Sequence, residues 1–106
     1  MDPQATFQRL MDAIALEDND EAQQAFEDLH YWLNHGGFAP KVTTLGTHTV
    51  NTSTGQITIP TRTIHSPDRR YAIMTNDREP NNVNGPFIFV VYNHRNNRVA
   101  TFDLTS

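Results

Sequence analysis

Gly36-Gly37-Phe38-Ala39-Pro40 is the stretch whose reading decides the fold. A glycine just past the last turn of a helix takes the left-handed conformation without steric penalty, and a proline close behind keeps the helix from resuming. With Gly37 in that left-handed position, Phe38 is expected to fold back on Leu33. Residues before this stop carry a helical period, and residues after it do not.

Upstream, Asp2 can cap a first helix and Pro3 suits its first position, where no amide hydrogen is required. Phe7, Leu10, Met11 and Ile14 then recur at i, i+3, i+4 and i+7, so a helix is expected from about Pro3 to Leu16. Asp18 can cap a second helix, with Glu21 reaching back as in a capping box. Ala22, Phe26, Leu29 and Leu33 form its apolar stripe, widened by Ala25 and Trp32. Two antiparallel helices joined by a short turn follow from these signals.

Downstream, β-branched residues dominate and alternation replaces the helical period. Val42–Val50 and Gln56–Ile64 read as the arms of a hairpin around residues 51–55, with Gly55 supplying a positive φ. Pairing Asn51 with Gln56 sets Val50 opposite Ile57, His48 opposite Ile59 and Val42 opposite His65. That register gathers Val42, Val50, Ile57 and Ile59 on one face. Further strands are expected at Arg70–Thr75, Phe87–Tyr92 and Arg98–Leu104, the second apolar on both faces as a central strand is. The expectation is one α+β domain over residues 1–106. An acidic helical hairpin (1–38) packs on an arginine-bearing antiparallel sheet of four to five strands (41–106).

Composition narrows function mainly by exclusion. The chain has no cysteine, so disulfides, zinc-thiolate sites and thiol nucleophiles are ruled out. Met1-Asp2-Pro3-Gln4 has no basic n-region and leads into no apolar h-region, so no secretory signal is expected, and the longest apolar run, Phe87 to Tyr92, is too short for a membrane helix. A cytoplasmic location is the expectation. Leu, Ile, Val and Phe supply 24 of the 106 residues, enough for a modest core. The net charge of −4 is split unevenly, with eight acids against Arg9 in residues 1–40 and four acids against seven bases in residues 41–106. Acids do favour helix starts and solvated helix faces, which accounts for part of this split. The remainder points to a binding surface on the strand half.

Several chemistries fail on their residues. The helical pair is not a DNA reader, because its exposed face offers Asp20, Gln23, Gln24, Glu27 and Asp28 where phosphate needs cations. His30 and His35, five apart, lie on different helix faces and cannot share a metal, while His48 and His65 fall roughly 20 Å apart along the expected ladder. His30 is instead expected as a partly buried polar residue and His35 as a cation at the helix C-terminus. Phe87-Ile88-Phe89-Val90-Val91-Tyr92 partly resembles the aromatic strand of RNA-recognition domains. Ile88 and Pro86 break that pattern, and the element order differs. His65-Ser66-Pro67-Asp68 supplies residues for a small hydrolase, but adjacency in a turn is not a triad, and no G-x-S-x-G or H-E-x-x-H occurs. No cofactor and no metal site are expected.

What survives is a small binding or regulatory protein that acts through protein–protein contacts and is able to self-associate by matching its acidic helices to its arginines. Nucleic-acid binding through Arg62, Arg69, Arg70, Arg78, Arg95 and Arg98 is the alternative, weakened by the acidic helices. The expected contact residues are Arg69, Arg70, Arg78, Glu79, His94 and Arg95, drawn from the turns and from the long polar segment 76–86. The acidic hairpin ending in Gly-Gly-Phe-Ala-Pro resembles short bacterial or phage proteins, a resemblance that implies no activity.

Overall fold

The computed structural model describes residues 2–75 and 85–104. Helix α1 (Pro3–Ala15) starts at Asp2, whose carboxylate accepts from the amides of Gln4 at 3.0 Å and Ala5 at 3.3 Å. Helix α2 (Asn19–Asn34) starts at Asp18, which accepts from the Glu21 amide at 3.2 Å. The expected return contact of a capping box is replaced by another. The Glu21 carboxylate lies 2.7 Å from Arg9 Nε, an ion pair, and Arg9 also donates to Asp28 at 2.6 Å. The only base of the hairpin therefore ties the two helices together between two of its acids.

The helix stop differs from expectation by one residue. Gly36, not Gly37, holds the left-handed φ of +80°, its amide donating to the Leu33 carbonyl at 3.2 Å while the Gly37 amide donates to the Trp32 carbonyl at 2.9 Å. These are the two bonds of a Schellman ending, so Gly37 takes the place assigned to Phe38. The Trp32 indole lies over Gly37 and donates from Nε1 to the Phe38 carbonyl at 2.8 Å. Phe38 consequently meets Trp32 edge-on at 5.7 Å, stays 70% exposed and does not fold back on Leu33. Helix α1 ends with the same bond pattern, but the left-handed residue there is Glu17, at φ 55°.

The strands form two sheets. β1 (Thr47–Thr52) and β2 (Gly55–Pro60) pair as a separate two-stranded hairpin; β3 (Thr63–His65), β4 (Tyr71–Thr75), β5 (Phe87–Tyr92) and β6 (Arg98–Asp103) form an antiparallel meander. In the hairpin, Asn51 faces Gln56, Val50 faces Ile57 and His48 faces Ile59, the register expected from the apolar residues. The hairpin is shorter at its base than expected. Residues 42–46 are not strand, Val42 is buried in the core instead of facing His65, and only Ser53 and Thr54 remain in the turn. The expected strand Gln56–Ile64 breaks at Thr61 and Arg62, and its far end crosses to the meander as β3. Val42, Val50, Ile57 and Ile59 therefore do not make one continuous ladder face, and His48 and His65 lie in different sheets.

The helices cover one face of the meander. Leu10, Phe26, Leu29 and Leu33 pack with Tyr71, Ile73, Phe87, Phe89 and Val91, which alternate along β4 and β5. The Phe26 ring lies 6.5 Å from that of Tyr71 and 6.2 Å from that of Phe89. Burying each such side chain contributes about 1.5–3 kcal/mol, so this aromatic seam holds the two layers together. Ala72, Ile88 and Val90 are buried on the opposite face, as the doubly apolar β5 required. Among the described residues no helix is long and apolar enough to cross a membrane.

Candidate functional site

In a meander, the β3–β4 and β5–β6 turns emerge at the same end of the sheet. This places Arg69 and Arg70 of the first turn and His94 and Arg95 of the second at one end of the sheet, although they are far apart in sequence. All four are exposed. Of the other two expected contact residues, Arg78 and Glu79 lie outside the described residues.

The first turn is held from within. Ser66 is buried; its hydroxyl donates to Asp68 Oδ1 at 2.6 Å and accepts from the Tyr71 amide at 3.0 Å. The same Asp68 oxygen accepts from the Arg70 amide at 2.9 Å. From α2, Gln23 donates to Asp68 Oδ2 at 2.9 Å and accepts from the Asp68 amide at 3.2 Å. Burial pushes the Asp68 carboxyl up, but these hydrogen bonds, with the Arg70 charge, more than offset it and hold the group below the usual carboxylate range. Both oxygens of Asp68 are thus committed to the turn, and the Ser66 proton points at Asp68, not at His65. The grouping that raised a hydrolase works here as a clamp between sheet and helix.

Arg69 sits at the crest of this turn with φ 63°, a left-handed conformation that costs a non-glycine residue roughly 1–2 kcal/mol. It lines two concavities at once. One, of about 570 Å³, lies between this turn and the α1–α2 turn; Arg69, His65, Ser66, Glu17 and Asn19 line it over Ala13, Ile14 and Ala22. The other, of about 350 Å³, is lined by His65, Arg69, Tyr92 and Asn96. Its origin is in the register. His65 on β3 faces Ala72, which faces Val90, so the smallest side chain of the row lies between His65 and the end of β5 at Tyr92.

The second turn is shaped by Asn93, whose side-chain oxygen accepts from the amides of Arg95 at 2.8 Å and Asn97 at 3.0 Å. Asn96 is left-handed at φ 62°, a conformation asparagine tolerates. Burial, then the nearby Arg69 charge, lowers the His65 pKa, so this ring is neutral near pH 7 and the positive charge belongs to the arginines. Arg70 lies 5.5 Å over the Tyr71 ring. Among the described residues, Arg69 and Arg95 make no ion pair. No group of three or more histidines and acids among the described residues is arranged to hold a metal.

Arg69, Arg70, His94 and Arg95 could be nominated from sequence as basic turn residues. His65 stood out only in a rejected metal pair with His48 and in a supposed catalytic cluster, and Tyr92 and Asn96 not at all, because the register across Ala72 brings them together. Gln23 reads as a solvated helix residue; nothing local marks it as the anchor of Asp68. No protein-family model, curated protein or solved structure matches the chain.

Proposed function

We propose that the chain is a cytoplasmic binding protein that takes an acidic segment of a partner protein on the turn end of its four-stranded sheet. The observation that carries this reading is the commitment of Asp68. The acid next to Arg69 in the chain is engaged by Ser66, Gln23 and the Arg70 amide, so the guanidinium groups of Arg69 and Arg95 remain available to an outside carboxylate. The concavity bounded by His65, Arg69, Tyr92 and Asn96 has room for an Asp or Glu side chain. The aromatic wall and neutral imidazole fit its stem, and Arg69 fits its charge.

Nucleic acid suits this surface less well. Gln23 joins α2 to the turn, and Asp20 and Glu27 flank Gln23 on the same helix face, so a long polyanion leaving the arginines runs along carboxylates. A short acidic peptide does not extend that far. The test is an NMR titration of the whole chain with hexaglutamate and, separately, with a single-stranded oligonucleotide. Hexaglutamate is expected to shift the amides of His65, Arg69, Tyr92, Arg95 and Asn96. Shifts elsewhere, or tighter binding of the oligonucleotide with a steep salt dependence, would overturn the reading in favour of another surface or of nucleic acid.

A further inference from the structure

A second surface, independent of the arginines, concerns the β1–β2 hairpin. Its two strands pair only with each other, and no third described strand joins them. A two-stranded hairpin alone in water is marginal at best. Its apolar row is only partly covered, with Val50 and Ile59 half-buried and Ile57 46% exposed.

The ladder tells which backbone groups face outward. The Thr61 amide donates to the Gly46 carbonyl at 2.9 Å, so Gly46 and Thr61 form a bonded pair; His48 with Ile59 and Val50 with Ile57 follow in step. Thr47, Thr49 and Asn51 therefore turn their N–H and C=O groups away from β2. On the other edge, Pro60 has no N–H to offer. Natural edge strands are usually guarded by lysine, proline or a bulge, and β1 carries none of these.

We propose that the occupant of this edge is a second copy of the chain, adding its own β1 antiparallel about a two-fold axis at Thr49. The charge distribution selects that occupant. A two-fold contact sets a surface against itself, so a charged patch meets its own sign. Residues 42–61 contain no Asp, Glu, Lys or Arg, whereas the helical half carries −7 and the sheet end is basic. The hairpin is where two copies meet without like-charge repulsion. Thr49 then pairs with the partner's Thr49 and Thr47 with the partner's Asn51, giving about six new backbone hydrogen bonds across three such pairs. Val50 neighbours the partner's His48, which joins the two apolar rows into one face of a four-stranded sheet.

Sedimentation of the full chain at micromolar concentration, in low and high salt, tests this together with hydrogen exchange. A mass of twice 12.1 kDa in both salts is expected, with slowed exchange at the Thr47, Thr49 and Asn51 amides. Thr49→Pro removes an outward N–H without touching the ladder to β2, and is expected to yield a monomer with unchanged helical circular dichroism. A monomeric wild type, a dimer that high salt dissolves, or a dimer with those three amides exchanging freely would each overturn the proposal. The amide readout stands even if Thr49→Pro fails to fold. Hexaglutamate binding at the arginines is untouched by any of these results.

Discussion

A methyl group built on Gly37 would lie 2.3 Å from the Trp32 indole, whereas one built on Gly36 would meet nothing within 4 Å. The two glycines are therefore required for different reasons, close packing at Gly37 and a left-handed φ at Gly36. Gly37→Ala is expected to expel the indole, break its bond to the Phe38 carbonyl and cost about 1–3 kcal/mol. Because Trp32 is the only tryptophan, its fluorescence reports this directly with a red shift. Gly36→Ala is expected to cost about 1 kcal/mol with the emission unchanged. Sequence alone could locate this helix end but not divide the roles, since either glycine satisfies the rule and only the position of Trp32 decides. Arg69 presents the opposite case, a large side chain kept where glycine is easier. Arg69→Gly should leave thermal stability unchanged or raise it by up to about 1 kcal/mol, while weakening hexaglutamate binding roughly tenfold. A marked loss of stability in chemical denaturation would mean that the side chain is there for packing. His30, packed against the rings of Tyr71, Phe89 and Phe102, has its pKa lowered by burial and then by Arg70. The unfolded chain thus takes up protons that the folded one refuses as pH falls below about 6.5, so stability declines from there toward the folded pKa. His30→Leu is expected to flatten that decline, as read from urea midpoints at pH 7 and pH 5.

Among the elements, those whose signals are local were legible. Asp2 and Asp18 cap as expected, both helices keep their apolar stripes, and the hairpin register follows from the positions of Val50, Ile57 and Ile59. The break at Thr61 and Arg62 was passed over although the sequence signals it. Ile64 falls out of phase with Ile57 and Ile59, and Pro60 stands between them, so both the period and a proline argue against one continuous strand. The crossing to a second sheet is decided by burial of Ile64 in the helix-side core, a long-range contact that no local pattern encodes. The join between α2 and the β3–β4 turn is of the same kind. Gln23→Ala should cost about 1 kcal/mol by removing both bonds to Asp68. Asp68, with its pKa held low, contributes stability above the usual carboxylate range and loses it as pH falls through the folded value. Removing Gln23 moves that folded pKa upward, so acid unfolding followed by circular dichroism should begin at a higher pH in the variant.

At the scale of the whole molecule, the chain presents three surfaces of different charge. The helices present carboxylates, the turn end of the sheet presents arginines, and the two-stranded hairpin is neutral. The composition shift at Gly36–Pro40 marks the boundary between the first two, but the chain crosses it with a shared core, so helices and sheet act as a single body. The arginine end is central to the function proposed here, and charge reversal tests it most directly. The affinity of hexaglutamate and of hexalysine would be measured by calorimetry for the wild type and for the double variant Arg69→Glu, Arg95→Glu. The account predicts that the wild type binds hexaglutamate and that the variant loses this binding, while its affinity for hexalysine rises. Undiminished hexaglutamate binding by the variant would contradict it.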